Sequence, residues 1–183
     1  MSILKIAKLG HPVLLEKAST VKNIHQPFIK QIIDDMAQTM LDANGIGLAA
    51  PQVHLSKQII VFRTFEDEQN TEKSEDKTIK VTALINPKIN NISDETNNEW
   101  EGCLSIPGML GLVKRYNKIE YEGLDVKDNI VKEKAEGLQA RIIQHEYDHL
   151  MGILYTSRLA DNKAFGYADE IEEYWKKIHD EKK

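Results

Sequence analysis

Apolar side chains recur at helical spacing in three stretches of the chain. After Pro27, the residues Ile29, Ile32, Ile33, Met36 and Met40 fall three or four apart, and the pattern runs on to Leu41. That spacing places them on one face of a helix. Pro27 suits its first turn, and Asn44-Gly45 its end. A second helix is predicted over about 135–151. There Leu138, Ile142, His145 and His149 follow at intervals of 4, 3 and 4, so the histidines continue an apolar stripe and should face inward. A third helix is predicted from about Ala164 to the C-terminus, with Phe165, Ala168, Ile171, Trp175 and Ile178 as its stripe and Asp161 or Asn162 as its cap.

Between the first two helices the pattern changes. Segments 58–64 (QIIVFRT) and 80–85 (KVTALI) are rich in β-branched residues, which favour strands. Shorter candidates are 118–121 and 125–131, separated by Gly123. Strands grouped in the middle with helices at both ends predict an α+β fold with mostly antiparallel pairing, rather than alternating βαβ units.

Composition narrows the setting. The chain has 183 residues, 41% hydrophobic and 29% charged, with a net charge of −5. Such a chain can build a core, and its length predicts one domain spanning 1–183. A generally basic surface for gripping nucleic acid is absent. Segment 66–78 has no apolar residue and a net charge of −4, so it reads as a solvated acidic loop. No stretch approaches 18 uninterrupted apolar residues, and the N-terminus lacks the apolar run of a signal peptide. The one cysteine, Cys103, rules out an internal disulfide and a CxxC zinc site. A lone thiol fits a reducing, cytoplasmic compartment.

The chemistry-bearing signal lies in the second helix, as His145-Glu146-Tyr147-Asp148-His149. Residues four apart project from nearly the same side, so two imidazoles on consecutive turns can hold one metal, with Glu146 beside them to act on a bound water. A catalytic site needs a third protein ligand, and LMGILYTSRL after His149 contains no histidine. Cys103, in Glu101-Gly102-Cys103-Leu104-Ser105, is the candidate, since a thiolate binds borderline metals well. A third feature is 45–52 (GIGLAAPQ). Its small residues let another backbone approach, and the Gln52 amide suits a hydrogen bond to developing negative charge. Taken alone, this segment also reads as a turn from helix to strand with small residues packed inside.

GIGLAAPQ, EGCLS and QHEYDH, in that order, resemble the three motifs of the peptide deformylases. The similarity extends from KLGHPVL near the N-terminus into the C-terminal helix. The resemblance implies an α+β fold in which antiparallel sheets pack around a central HExxH helix, with a C-terminal helix. It implies removal of the N-formyl group from the formyl-methionine of nascent proteins, releasing formate, through attack of a metal-bound hydroxide on the formyl carbon. Carried onto this chain, it implies Cys103, His145 and His149 as metal ligands and Glu146 as general acid/base. Gln52 and the backbone N–H of Leu104 become the oxyanion donors, and Ile46, Gly47 and Gly102 lie along the substrate peptide. The family's native metal is usually Fe2+, with Zn2+ or Ni2+ in isolated protein. Glu101 and Asp148 neighbour the ligands, and Arg115 can pair with either. After EGCLSIP the chain reads GMLGLVKR, with Leu110 where some bacterial members carry an arginine.

Three other readings compete: a metallopeptidase, since HExxH serves peptide-bond hydrolysis too; a metal-free cysteine hydrolase built on Cys103; and a non-catalytic relative that binds peptides or ribosomes. A transient ribosome contact suits a substrate that emerges there, and Lys176, Lys177, Lys182 and Lys183 cluster at the C-terminus.

Overall fold

The computed structural model describes residues 2–64 and 80–175. The acidic segment 66–78 and the C-terminal lysine cluster lie outside them.

Two antiparallel sheets hold the described residues together. The first has five strands in the order β1-β2-β3-β6-β7: β1 (Gly47–Ala49), β2 (Ile59–Thr64), β3 (Lys80–Asn91), β6 (Lys118–Leu124) and β7 (Ile130–Glu136). The second has three, in the order β4-β5-β8: β4 (Thr96–Cys103), β5 (Ile106–Tyr116) and β8 (Phe165–Tyr167). Helix α1 (Pro27–Asp42) and helix α2 (Gly137–Leu150) complete the frame.

The apolar run in β2 is explained by what covers it. Ile59 and Val61 belong to a buried cluster with Ile29, Ile33, Met36 and Met40 of α1. Ile60 and Phe62 belong to a second cluster, with Ala140, Ile142 and Ile143 of α2. Successive side chains of a strand point to opposite faces, so α1 covers one face of the five-stranded sheet and α2 the other. Alternation would have left one face polar; burial on both faces demands the continuous apolar run IIVF. A third cluster joins Ile106 and Val113 of β5 to Leu14, Leu154 and Tyr155, and it closes the three-stranded sheet.

The elements depart from the sequence pattern in four places. Helix α2 begins at Gly137 rather than at about 135, because Ala135 and Glu136 pair with Ile119 and Lys118 and extend β7. Gly137 then turns the chain with φ +58, a conformation open to glycine. Residues 165–167 are a strand rather than the start of the third helix: Phe165 and Tyr167 pair with Gly111 and Met109 on the edge of β5. Helical structure starts at Ala168 and runs to Trp175; Ile178 lies outside the described residues. Segment 125–131 is mostly a turn. The Asp125 carboxylate accepts from the backbone N–H groups of Lys127 and Asn129 (2.7 and 2.9 Å), and the strand starts at Ile130, while Gly123 lies inside β6. Strands β1, β4 and β5 were not legible in the pattern. Polar TNNEWEGC hides β4, and the proline and glycines of IPGMLGLVKRY disguise β5. No helix among the described residues is long and apolar enough to cross a membrane.

Ile143 is fully buried between α2 and the five-stranded sheet, whereas Ile130 is 80% exposed at the start of the edge strand β7. Ile143→Ala is expected to cost about 2–5 kcal/mol in urea unfolding. Ile130→Thr should stay within about 0.5 kcal/mol.

Candidate metal centre

Three pieces of chain converge on one point. Helix α2 carries His145, Glu146 and His149 at consecutive turns. Strand β4 ends on Cys103, where a register shift after Gly102 leads into the Leu104-Ser105 turn. Strand β1 and the 3-10 turn Ala50–Val53 that follows it bring Gly47 and Gln52. The ligand atoms of Cys103, His145 and His149 all lie within 4.8 Å of one another, and Cys103 Sγ is 3.3 Å from His149 Nε2.

Two of these side chains are aimed by neighbours. The Glu101 carboxylate accepts from His145 Nδ1 (2.9 Å), so Nε2 is the nitrogen of that ring turned toward the centre. The Gln52 side chain is 1% exposed, and its Oε1 accepts from the Ala49 backbone N–H at 2.8 Å. Its Nε2 therefore points at the centre, 3.2 Å from Ser105 Oγ and 3.5 Å from Cys103 Sγ. One thiolate and two imidazoles converging on a point suit a divalent transition metal, so the residues present fit a metal ion.

Glu146 is buried beside the ligands, and Oε2 of its carboxylate has no hydrogen-bond partner among the described residues. Burial pushes its pKa up to about 7, a value suited to taking and returning a proton near neutrality. Burial also lowers His149 well below the ordinary imidazole range, which favours a neutral ring able to hold a metal. Gly47 explains one of the small residues: a Cβ there would lie 2.3 Å from Glu146 Oε1. With Glu146 in this position, β1 can approach α2 so closely only without a side chain at Gly47.

The support behind His145 is a buried ion network. Glu101 accepts from Arg115 at both oxygens (3.0 and 3.0 Å) and from Arg141 Nη1 (2.6 Å). Arg115 Nη1 also pairs with the Asp148 carboxylate, so it bridges both acids rather than choosing one. Burial alone would raise the Glu101 pKa, but the hydrogen bond with His145 and the Arg115 pair outweigh it and hold the carboxyl far below its usual range.

A cavity of about 570 Å³ opens over the centre, with Ile46, Gly47, Gln52, Gly102, Cys103, Leu104 and Glu146 in its wall. The site residues expected from the sequence are thus brought together, with one correction. Leu138 does not face the core with the rest of its stripe. It is 54% exposed at the cavity wall, because it lies in the first turn of α2, before the two sheets close around the helix. Arg141 and Arg158 were missed. Arg141 lies four residues before His145, on the same helix face, and a charge in a buried stripe was the available signal. Nothing local marks Arg158.

A model of the polypeptide deformylase family matches residues 3–165. The chain belongs to the peptide deformylase family. Peptide deformylase 1 of Bordetella pertussis is 43% identical over 166 residues, covering 91% of this chain and 93% of that protein. Peptide deformylase 1 of Nitrosomonas europaea is 40% identical over the same shares. Among solved structures, the Met-Ala-Ser-bound class I type b peptide deformylase of Acinetobacter baumannii superposes with a TM-score of 0.75 at 34% identity. It covers 86% of this chain and 98% of that one. The actinonin-bound peptide deformylase of Synechococcus elongatus gives 0.75 at 39%, covering 88% and 83%. Family membership makes the chain an enzyme, a metal-dependent hydrolase of formylated peptides. It sets aside the metallopeptidase, cysteine-hydrolase and non-catalytic readings.

Two substitutions test this geometry. Gly47→Ala should displace the Glu146 carboxylate and lower turnover about 100-fold, the scale of a misplacement near 1 Å. Metal content should be unchanged, and full turnover would show that Glu146 need not sit there. Arg115→Ala leaves two buried acids short of a partner and should cost about 3–5 kcal/mol, with lower metal occupancy in the purified protein. Unaltered unfolding and occupancy would sink the pairing.

Proposed function

We propose that residues 1–183 act as one catalytic domain that removes the formyl group from N-formylmethionyl nascent peptides and releases formate. The observation that carries the reading is the convergence of Cys103, His145 and His149, with Glu146 and Gln52 beside them, at the floor of the cavity. In this reading those three residues hold one divalent cation, natively Fe2+, with Zn2+ or Ni2+ tolerated in isolated protein; the donor set suits all three. Such a cation, when bound, polarises the formyl carbonyl and lowers the pKa of water.

The chain's own groups do the rest. Glu146 takes a proton from the attacking water at its buried carboxylate and delivers it to the leaving amine. Charge develops on the formyl oxygen, and the Gln52 amide and the backbone N–H of Leu104 donate to it. Ile46, Gly47 and Gly102 lie along the peptide. Strands β1 and β4 are each at the edge of their sheet and both reach the cavity. A bound peptide therefore adds between them as an extended strand. A ligating thiol has to stay reduced, which supports a cytoplasmic setting. A transient ribosome contact would place the enzyme where its substrate emerges.

The test is formate release from formyl-Met-Ala-Ser by anaerobically purified protein, with metal measured on the same sample. About one metal per chain and steady formate release are expected. Glu146→Ala should keep the metal and lose the activity. Gln52→Leu should lower kcat about 100- to 1000-fold with metal binding unaffected. Hydrolysis of unformylated Met-Ala-Ser at a comparable rate would overturn the reading.

A further inference from the structure

A second cavity, of about 900 Å³, runs along a different face of α2, with Arg115, Asp148, Tyr147 and Arg158 in its wall. Arg158 ends the 3-10 turn Tyr155–Arg158 that follows the helix. Its guanidinium grips Asp148 with two bonds, Nε to Oδ2 at 3.1 Å and Nη2 to Oδ1 at 2.9 Å. The Arg158 side chain is 45% exposed, whereas that of Asp148 is 8% exposed.

We propose that Arg158 is a positioning residue for the metal centre, acting through Asp148, Arg115 and Glu101 on His145. The inference rests on the reading of Cys103, His145 and His149 as ligands. Asp148 Oδ2 is shared by Arg115 and Arg158, and Arg158 is the one partner of Oδ1 among the described residues. With Arg158 in place, both oxygens are fixed and the carboxylate cannot turn. Arg115 then has a stationary acceptor at Nη1, so its two bonds to Glu101 hold one orientation. Glu101 Oε2 is shared by Arg115 Nη2 and His145 Nδ1. Any pivot of Arg115 therefore moves the atom that aims the imidazole.

An ion pair with one half-exposed partner contributes little to stability. The signature of Arg158 should therefore lie in the metal rather than in unfolding. The experiment loads the full chain with Co2+ under anaerobic conditions. It reads the Co2+ dissociation constant by chelator competition, the visible ligand-field absorption and the unfolding midpoint. Arg158→Met should weaken Co2+ binding about 10-fold, the lower end for outer partners of a metal ligand. It should also shift the absorption bands and leave the midpoint nearly unchanged. Arg158→Lys, which keeps the charge but not the fork, should recover part of the affinity. Lys114→Met, which removes a charge from the same cavity wall, should change neither affinity nor spectrum.

Unchanged affinity and bands in Arg158→Met would overturn the proposal, as would an equal loss in Lys114→Met. A fall in midpoint that tracks the loss of affinity, without recovery in Arg158→Lys, would make Arg158 merely structural. If the unsubstituted protein bound no Co2+, the reading of the metal centre itself would fail and take this inference with it.

Discussion

Glu101 is the joint on which the rest of the structure depends. Its carboxylate is nearly out of water, and a buried unpaired charge is costly. Four donor atoms meet that cost: two on Arg115, one on Arg141 and one on His145. The two arginines come from β5 and α2, so the acid can be satisfied only when the three-stranded sheet has docked against the helix. The same docking brings Cys103, two residues after Glu101, up to His149. Charge satisfaction and assembly of the candidate ligand set are therefore one event. Replacing such a network with apolar side chains often leaves stability unchanged or higher. Its use here is geometric, fixing which nitrogen of His145 faces the centre.

Helix α2 serves both halves of the molecule. Ala140, Ile142 and Ile143 pack against the five-stranded sheet, while Arg141, His145 and Asp148 engage groups of the three-stranded one. The cavity lies where the edges of the two sheets come together. Close approach there depends on residues without bulk. At Gly47 the strand passes so near Glu146 that a methyl group would overlap the carboxylate. The absence of a side chain at Gly47 in GIGLAAPQ is thus a packing requirement of the centre as it stands.

Most of the site was legible, and for a local reason. Two histidines four apart lie on one helix face whatever surrounds them, so the Cys103-His145-His149 set could be proposed from spacing and residue chemistry. Helix α1 was legible because one face is buried and the other is wet, which writes a clean period into the sequence. Strands β4 and β5 were not, although they carry Glu101, Cys103 and Arg115. They hold charged and small residues for the sake of the site, and those residues erase the alternation by which a strand is recognised. Residues 165–167 were misread for another reason. Their apolar spacing fits a helix, but the open edge of β5 supplies hydrogen-bond partners that a helix would forgo.

The sequence by itself determined the chemistry available to this protein: one thiol, an HExxH pair on one helix face, a neutral amide and a set of small residues, in the order of the peptide deformylases. It also determined helices α1 and α2 and the apolar strand β2, since those patterns follow from backbone periodicity. Only the tertiary structure decided which charges pair. Arg115, Arg141 and Arg158 reach their carboxylates across 10 to 40 residues of chain. Contacts at such separations leave no period in the sequence. They exist because two sheets close over one helix and leave the acids no water to turn to.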